Sequence, residues 1–564
     1  MNSLSKSTIQ LIGGLPGGKG TGLLRLQSLL QSSLIPDDVK RYLSLPDTLI
    51  LGNEVFCQFI NDNKLQPEKL IDLTDSQILT AFLTSTFPSS FEEAVNIFLH
   101  RCHSAVAVRS SGLLEDSKSL PFAGVYNSYM VPVNSDPQIN SANVIQAIKA
   151  VYASTFFHQA RSSMATANIA VHDEMGVVLQ QVTGMPHAEY FYPTFSGVMR
   201  SVNYYPLDSD VPADGVALLA LGLGKYIVDG GLSLRVNPVQ PDKVLQTSDT
   251  DIALRDTQTS FYALKLQSGL FLPAADDAKN LVRLKVKDAD AQNALFGIAS
   301  TFDFNDQRIY DGLYPGGRKI ITFKGLLEHD FFPLPRIMQQ VLKAAVSFTH
   351  SQVEIEVAGN VDQQGNGGLS LLQMRPIAAA SRPIVYDFSK MNRHNALLYS
   401  EHVLGNGIIE NVRDVVYVKY DADYSTFNNY QTADELEHLN SQLTARKTPY
   451  LLIGPGRWGS SDAYLGIPVK WPQISGARVI VELSLLGHHT DDSQGTHFFH
   501  NLTSLGVGYF TLYLDSEHTG EWFNKTLLDA MPAVSESAYV RHVRFAHPLQ
   551  IVMDVMHRKG GVLL

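Results

Sequence analysis

Three stretches of the chain carry residues whose types and spacing suit the binding of phosphate groups and a counter-ion. The first is residues 105–124, where a short apolar run of strand composition ends in Arg109-Ser110-Ser111-Gly112. Small residues let backbone N–H groups turn towards an anion, and the forked guanidinium of arginine matches two phosphate oxygens. Arg109 is therefore a candidate phosphate ligand and catalytic residue, although a lone arginine after a strand is more often a surface salt-bridge partner.

The second stretch, residues 12–26, is rich in glycine around Lys19 and continues into an apolar helical pattern. Glycine permits close backbone approach, a helix amino terminus favours negative charge, and the lysine ammonium adds a mobile phosphate ligand. The spacing is not that of a Walker A loop, and no Ser or Thr directly follows the lysine. We predict that Lys19 binds phosphate; the alternative is a flexible turn.

The third stretch, residues 353–377, places Glu354 and Glu356 two positions apart on a predicted strand. Their side chains then share one face, where two carboxylates repel each other unless a cation lies between them. Oxygen ligands of this type suit magnesium that is also held by nucleotide phosphates. We predict Glu354 and Glu356 as metal ligands; the alternative is a solvated strand edge.

The elements that position these residues are predicted from periodicity and breakers. Residues 176–182 form an apolar strand that is followed by a Thr-Gly turn, and residues 27–104 have the pattern of helices separated at prolines. Residues 141–170 predict a helix that is capped by Ser141 or Asn143. The sequence thus mixes helices and strands, and its 564 residues are too many for one core.

Composition excludes several classes of function. Hydrophobic residues make up 45% and charged residues 18%, and no apolar run reaches the length of a membrane span. The net charge of −11 gives no support to nucleic-acid binding. We expect no exported leader at the amino terminus, and the two cysteines, Cys57 and Cys102, suit a reducing compartment such as the cytoplasm.

Taken together, the stretches resemble the nucleotide-binding domain of phosphoenolpyruvate synthase and pyruvate phosphate dikinase. The resemblance covers about residues 12–378, with pieces in the family's order at nearly the family's spacing. These pieces are Gly17-Gly18-Lys19-Gly20, Arg109-Ser110-Ser111, Glu115-Asp116, Phe122-Ala123-Gly124, Ser196-Gly197-Val198-Met199, Gly222-Leu223-Gly224, Val236-Asn237-Pro238, Glu354-Ile355-Glu356 and Gln373-Met374-Arg375-Pro376.

The resemblance implies an α/β (α+β) fold of the ATP-grasp type, with ATP and Mg²⁺ as cofactors. Residues 1–240 would supply the amino-terminal lobe or lobes, residues 241–378 the lobe with the magnesium carboxylates, and residues 379–564 a smaller α/β domain. It also implies an ATP- and magnesium-dependent phosphotransferase that moves a phosphoryl or pyrophosphoryl group. The nucleotide shell would comprise Lys19, Arg109, Glu356, Gln373 and Arg375, with the backbone at Gln181 and Val182 against the adenine edge.

One departure from the family pattern opens a second hypothesis. Around the Gly-Leu-Gly piece the family usually has two acids, whereas this chain has Leu218 and Lys225 at those positions. If those acids position nucleotide or metal, this chain is instead a nucleotide-binding regulator that closes on ATP without efficient transfer.

The carboxy-terminal stretch resembles the family less closely. Residues 379–564 are too few for the pyruvate- or phosphoenolpyruvate-binding barrel of the family, so we expect no such barrel in them. Arg457, in a glycine-rich turn after an apolar strand, is a candidate anion ligand with Trp458 as a stacking surface. A structural turn with a buried tryptophan is the alternative.

A histidine in the same stretch is a candidate phosphoryl acceptor. His497 follows Gly495-Thr496 much as the histidine does in the family's swivelling phosphohistidine domain. A neutral imidazole at a helix start is a competent nucleophile. His488, His489 and His500 are rivals, and an unknown acceptor near Arg457 or on a partner protein is the other choice. The sequence leaves open whether the protein forms homo-oligomers.

Overall fold

The computed structural model divides the chain into two compact units, each of which is described by itself. Unit 1 comprises residues 1–202 and 213–377, and unit 2 comprises residues 203–212 and 378–564. None of the helices in the described part of the chain is both long and apolar enough to cross a membrane. The structure describes residues 8–115, 125–166, 173–203, 210–229, 231–266, 271, 273–275, 280–377, 386–420, 424–459, 464, 466–484, 507–514, 520–555 and 557–564.

Unit 1 mixes helices and strands throughout. Its helices are α1 (Gly17–Gln31), α2 (Asp37–Lys40), α3 (Asn53–Asp62), α4 (Pro67–Leu70), α5 (Asp75–Thr84), α6 (Ser89–Leu99), α7 (Pro137–Ser154), α8 (His158–Thr166), α9 (Lys225–Val228), α10 (Thr250–Asp256), α11 (Val286–Ala291), α12 (Lys324–Leu327) and α13 (Leu334–Thr349). Its strands are β1 (Ile9–Ile12), β2 (Leu43–Ser44), β3 (Thr48–Leu51), β4 (Ala105–Gly112), β5 (Ser128–Pro132), β6 (Met175–Gln181), β7 (Met185–His187), β8 (Tyr190–Tyr192), β9 (Phe195–Arg200), β10 (Val216–Ala220), β11 (Leu234–Val236), β12 (Ser260–Lys265), β13 (Leu281–Lys285), β14 (Ala299–Asp303), β15 (Arg308–Tyr310), β16 (Arg318–Ile321), β17 (Val353–Val361) and β18 (Gly367–Pro376).

Two sheets of unit 1 carry the predicted nucleotide shell. Sheet A has the strand order β1-β3-β6-β4-β5, and sheet B has the order β11-β10-β9-β17-β18-β2. In sheet A, the apolar run of β4 lies between β5 and β6 and is buried at Val106 and Val108. Smaller sheets join β13-β12-β8-β7 and β15-β14-β16. The α/β class predicted from the sequence is confirmed.

Alternation along β17 decides which side chains face the core of sheet B. Ile355 and Val357 are buried in the hydrophobic cluster that also contains the apolar face of α13. Glu354 and Glu356 alternate with them and therefore project from the opposite face of the strand. Glu354 and Glu356 thus share one face of β17, as the sequence predicts.

Helix α7 begins earlier than the sequence predicts. Its cap is Asp136, whose carboxylate accepts hydrogen bonds from the backbone N–H groups of Gln138 and Ile139, and Pro137 occupies the first turn. Ser141 and Asn143 therefore lie inside the helix, so the predicted cap is wrong. An Asp-Pro pair is a strong start signal because proline lacks the N–H that the first turn leaves unpaired.

Unit 2 is built around one large sheet. Its helices are α14 (Asn429–Ala445) and α15 (Lys525–Ala530), and its strands are β19 (Ala396–Ser400), β20 (His402–Leu404), β21 (Asn406–Val418), β22 (Tyr450–Pro455), β23 (Arg457–Trp458), β24 (Gly466–Ile467), β25 (Ala477–Ser484), β26 (Gly508–Tyr513), β27 (Trp522–Phe523), β28 (Ala533–Glu536), β29 (Val540–Asp554) and β30 (Lys559–Leu563). The sheet order is β20-β26-β25-β22-β21-β29-β30-β19-β27, with β21, β22, β25 and β26 parallel to one another. Side chains of β22 alternate between two clusters, since Leu452 packs in the one with α14 and Leu451 in the other.

A buried carboxyl group in unit 1 makes its stability depend on pH. Asp173 is 2% exposed and accepts hydrogen bonds from the Leu114 N–H and the Tyr126 hydroxyl. Burial raises its pKa to about 6, although those hydrogen bonds act in the opposite direction. The folded state therefore keeps a proton that the unfolded chain releases above about pH 4, so the free energy of unfolding falls by up to about 3 kcal/mol as the pH rises through this window.

We predict that Asp173→Asn removes this dependence, because the uncharged amide can accept the Leu114 N–H through its oxygen and donate to the Tyr126 hydroxyl oxygen through its NH₂ group. The variant should be more stable than the wild type at about pH 8, with a smaller difference at about pH 4. Urea unfolding at the two pH values measures this. As a control, Asp362→Asn should lower stability at the higher pH, because the hydrogen bond from Asn366 lowers the pKa of exposed Asp362. Equal pH profiles for Asp173→Asn and the wild type would contradict the prediction.

Candidate functional site

Arg109 connects the two sheets that carry the predicted nucleotide shell. From β4 of sheet A, its Nη2 donates to Glu356 Oε2 on β17 and to Gln373 Oε1 on β18, each at 2.6 Å. Its Nη1 lies 3.4 Å from both Gln180 Oε1 and the Leu372 carbonyl oxygen. The side chains of Arg109 and Glu356 are 16% and 21% exposed, so the ion pair is only partly screened by water.

A β-bulge exposes one of these acceptors. Pairing between β17 and β18 shifts register after Glu356, which lies opposite Gln373, so that Val357 lies opposite Leu371. The extra residue is Leu372, whose carbonyl accepts hydrogen bonds from Arg109 and from Gln180 Nε2. A bulge commonly redirects groups at a functional site in this way.

Helix α1 carries Lys19 to the end of β4. The Lys19 ammonium donates to Ser110 Oγ at 3.1 Å and forms an ion pair with Glu115. Glu115 is 1% exposed, and its other oxygen accepts the Gly112 N–H at 3.0 Å. Lys19 thus reaches β4 one residue beyond Arg109, and Glu115 fixes its position. The sequence identified Glu115 only as part of a motif.

Two glycines explain how α1 can lie so close to both sheets. Gly17 has a φ of +69°, and a Cβ atom there would lie 1.7 Å from the Ser111 carbonyl oxygen. A Cβ atom at Gly22 would lie 2.1 Å from the Met374 carbonyl oxygen of β18. The Ser111 hydroxyl also accepts the Gly20 N–H and donates to the Pro16 carbonyl. The glycines therefore permit packing of α1 against the backbones of β4 and β18.

Glu354 is held between two arginines on the neighbouring strands. It lies opposite Arg200 of β9 and opposite Arg375 of β18. Arg200 Nε donates to Glu354 Oε2 at 2.6 Å, and Arg375 Nε donates to Glu354 Oε1 at 2.7 Å, with Arg375 Nη2 on the same oxygen. The Glu354 side chain is 3% exposed and that of Arg200 is 7% exposed. Sequence reasoning missed Arg200.

The charges of these side chains, which we call the Arg109 cluster, favour an anion; its charged members are Lys19, Arg109, Glu115, Arg200, Glu354, Glu356 and Arg375. Burial raises the pKa of Glu356, but the positive charges of Arg109 and Arg375 and the hydrogen bond from Arg109 outweigh this effect, so the pKa lies below its ordinary value. Glu356 is therefore ionised at neutral pH. With Lys19 and Arg200 as cations and Glu115 and Glu354 as anions, the named side chains carry a net charge of about +1 before any ligand binds.

The two carboxylates of the predicted magnesium site differ in how well they fit a metal ion. Among the described residues, no group of three or more His, Cys, Asp or Glu side chains has an arrangement that could hold a metal ion. Both oxygens of Glu354 are bonded to guanidinium groups, so Glu354 does not fit as a metal ligand. Glu356 pairs with Arg109 through Oε2, which leaves Oε1 as the carboxylate oxygen better placed for a cation.

The predicted adenine contacts are already engaged within the protein. The Gln181 N–H donates to the Asp47 carbonyl at 2.9 Å, and the Val182 N–H donates to the Ala105 carbonyl at 3.0 Å. The glutamine that reaches the Arg109 cluster is Gln180. Alternation along β6 explains this, because Gln180 and Gln181 face opposite sides of the sheet.

The two positions that depart from the family pattern have structural partners. Leu218 is 5% exposed on β10 and packs with Val198, Ala220, Tyr226 and Ile227. Lys225 forms an ion pair with Asp229 at 3.2 Å on α9. An apolar contact and a local ion pair thus occupy the positions where the resemblance implies acids.

In unit 2, the two residues predicted around the glycine-rich turn, Arg457 and Trp458, have different surroundings. Trp458 is 0% exposed, and its indole N–H donates to the Val481 carbonyl. The stacking surface predicted at Trp458 is therefore wrong, because the ring belongs to the core. Arg457, on β23, is partly buried, and within the described residues its Nε atom has no hydrogen-bond partner. His497 and its rivals His488, His489 and His500 lie outside the described residues.

Unit 2 also contains an imidazole–carboxylate pair that sequence reasoning missed. His402 Nδ1 lies 3.0 Å from Glu521 Oε1. Glu521 is buried and also accepts hydrogen bonds from Ser400 Oγ and from the backbone N–H groups of Glu401 and Tyr513. More than a hundred residues separate the partners, so no local spacing could have indicated the pair.

Unit 1 has an α/β fold with a cluster of cationic side chains between two of its sheets. The chain belongs to the family of the pyruvate phosphate dikinase AMP/ATP-binding domain, whose model matches residues 14–395. The chain is also 26% identical over 223 residues to the uncharacterized phosphotransferase YvkC of Bacillus subtilis (strain 168). That alignment covers 39% of this chain and 23% of YvkC, so the chain spans less than a quarter of this relative.

We predict that Gly22→Ala destabilises unit 1 by roughly 1–3 kcal/mol, because a methyl group would meet the Met374 carbonyl of β18, which cannot move without disturbing sheet B. Thermal unfolding measures the loss. Gly368→Ala, within β18 itself, is the control, since its Cβ atom would lie 3.6 Å from the nearest atom, the Tyr42 carbonyl oxygen. Equal midpoints for the two variants would show that α1 does not approach β18 as described.

Proposed function

We propose that the protein binds ATP in unit 1 and transfers a phosphoryl or pyrophosphoryl group from it to an acceptor. The observation that supports this most strongly is the Arg109 cluster, in which the guanidinium of Arg109 from sheet A meets side chains of sheet B. Membership of an AMP/ATP-binding family supports the nucleotide, and similarity to a phosphotransferase supports the reaction class. Residues 1–240 and 241–378 would form the lobes of an ATP-grasp arrangement.

In this proposal Lys19 and Arg109 bind phosphate oxygens and stabilise the charge that develops during transfer. Such transfer depends mainly on positioning and on charge neutralisation, which favours groups that are held in place before the nucleotide arrives. Glu115 holds Lys19, and Glu356 with Gln373 holds Arg109. When the nucleotide binds, its phosphate oxygens would replace the carboxylates as partners of these cations.

The remaining shell residues have narrower roles. Gln373 and Arg375 would contact the phosphates from β18. The backbone near Gln181 and Val182 would lie against the adenine without using the N–H groups of these two residues, which are bonded to the Asp47 and Ala105 carbonyls. Magnesium, when bound with the nucleotide, would neutralise phosphate oxygens, with Glu356 as the carboxylate that can hold it. The phosphoryl acceptor would be His497, a group near Arg457, or a partner protein.

A second function is favoured by the partners of three residues. Leu218 packs in an apolar cluster, Lys225 pairs with Asp229, and Glu354 is occupied by arginines. If efficient transfer requires free acids at these places, the protein is a regulator that binds ATP and transfers slowly.

Removal of the central cation should weaken nucleotide binding. We expect Arg109→Leu to reduce ATP affinity by at least tenfold, because a charge-assisted hydrogen bond contributes about 1.5–3 kcal/mol. Isothermal titration calorimetry measures the affinity. Arg336→Leu is the matched control, since Arg336 is 65% exposed in unit 1 and pairs with Asp38 at the surface. Unchanged ATP affinity in Arg109→Leu, or no binding by the wild type at millimolar ATP, would contradict the proposed site.

Labelled ATP separates the two functions. After incubation with β- or γ-labelled ATP and magnesium, we expect acid-labile, base-stable label on the protein that is lost in His497→Ala and kept in His402→Ala. Label on the protein or release of AMP, ADP or phosphate supports transfer. ATP binding without label or product supports the regulator and contradicts transfer to His497.

A further inference from the structure

The pair of carboxylates on β17 already has its counter-ions. Glu354 and Glu356 project from one face and would repel each other in isolation. In the structure, Arg200 and Arg375 lie on the two sides of Glu354, and Arg109 pairs with Glu356. Guanidinium groups thus occupy the positions where a divalent cation would be expected from the sequence.

Arg200 and Arg375 differ in their exposure to solvent. The Arg375 side chain is 16% exposed, and its positive charge also lowers the pKa of Glu356. The Arg200 side chain is 7% exposed and bonds to Glu354 through Nε at 2.6 Å, directly across the β9–β17 ladder. Separating a buried pair leaves an uncompensated charge, which is strongly unfavourable.

A metal ion at Glu354 would meet two obstacles. Arg200 would have to give up Oε2, and the metal would then lie beside two guanidinium groups of like charge. The first obstacle is smaller at Glu356, because a hydrogen bond from Arg109 engages its Oε2 and the side chain is 21% exposed.

We propose that Arg200 takes the place of a divalent cation at Glu354, so that Glu354 is a structural anion and Glu356 is the carboxylate of the pair that can ligate metal. This inference concerns the same site as the proposed function and refines it. Its consequence is that metal contributes less to nucleotide binding than a pair of free carboxylates would allow.

Mn²⁺ alone tests the proposal without any nucleotide. We expect Arg200→Leu and Arg200→Gln to bind Mn²⁺ at least tenfold more tightly than the wild type, because each change removes the positive charge and the hydrogen bond that Arg200 directs at Glu354 Oε2. Adding Glu354→Gln to either variant should remove the gain. Arg200→Lys keeps the positive charge and should show no gain, which separates the effect of charge from a general loosening of unit 1. Electron paramagnetic resonance of free Mn²⁺ gives the affinities, and circular dichroism confirms folding.

A comparison of the two carboxylates covers the case in which the Arg200 variants do not fold. Glu354→Gln and Glu356→Gln remove the same charge from neighbouring positions, so a difference between them reports ligation. We expect Glu356→Gln to weaken Mn²⁺ binding more than Glu354→Gln does. The proposal is overturned if folded Arg200→Leu and Arg200→Gln show no gain, or if Glu354→Gln weakens Mn²⁺ binding as much as Glu356→Gln.

The Mn²⁺ experiments can fail independently of the experiments that test the proposed function. Failure of the wild type to bind ATP, with or without Mg²⁺, would remove the proposed function but leave the Mn²⁺ results to decide the role of Arg200. Conversely, ATP binding together with Glu354-dependent Mn²⁺ binding would support the nucleotide site and overturn the role of Arg200.

Discussion

The ion pair between Arg109 and Glu356 sets the constraint on which unit 1 depends. A buried or half-buried charge is tolerated only when an opposite charge or hydrogen-bonding groups compensate it. Arg109 leaves sheet A with its guanidinium directed at β17 and β18 of sheet B, where Glu356, Gln373 and the Leu372 carbonyl accept its hydrogen bonds. Strands that are far apart in sequence must therefore lie close together at this point, and their side chains form the Arg109 cluster.

The neighbouring elements are positioned around this contact. Helix α1 has to bring Lys19 to β4 while lying against β18, and only glycine at positions 17 and 22 leaves room for the two backbones. The bulge after Glu356 turns the Leu372 carbonyl out of the ladder towards Arg109. Glu115 fixes Lys19, and Arg200 with Arg375 neutralises Glu354. Each charge in the cluster has a partner before a nucleotide binds. These partners hold the cationic side chains in position for an anion.

Features with a local cause could be predicted from the sequence. The apolar run before Arg109 lies in β4, and Glu354 and Glu356 lie in β17, as strand periodicity predicts. The turn expected at residues 109–112 is wrong, because β4 continues through Gly112 in pairing with β6. The fold class and the family follow from pieces in fixed order. By contrast, Arg200 and Gln180 act through partners on other strands, and neither residue has a distinguishing local pattern. The burial of Trp458 depends on β25, which follows it in sequence, and could not be read from the glycine-rich turn alone.

A crystal structure of the protein with a non-hydrolysable ATP analogue tests the central claim most directly. The account predicts that the triphosphate lies in unit 1, with phosphate oxygens within hydrogen-bond distance of the Lys19 ammonium and the Arg109 guanidinium. A triphosphate bound elsewhere, with Arg109 still fully paired to Glu356 and Gln373, would contradict it.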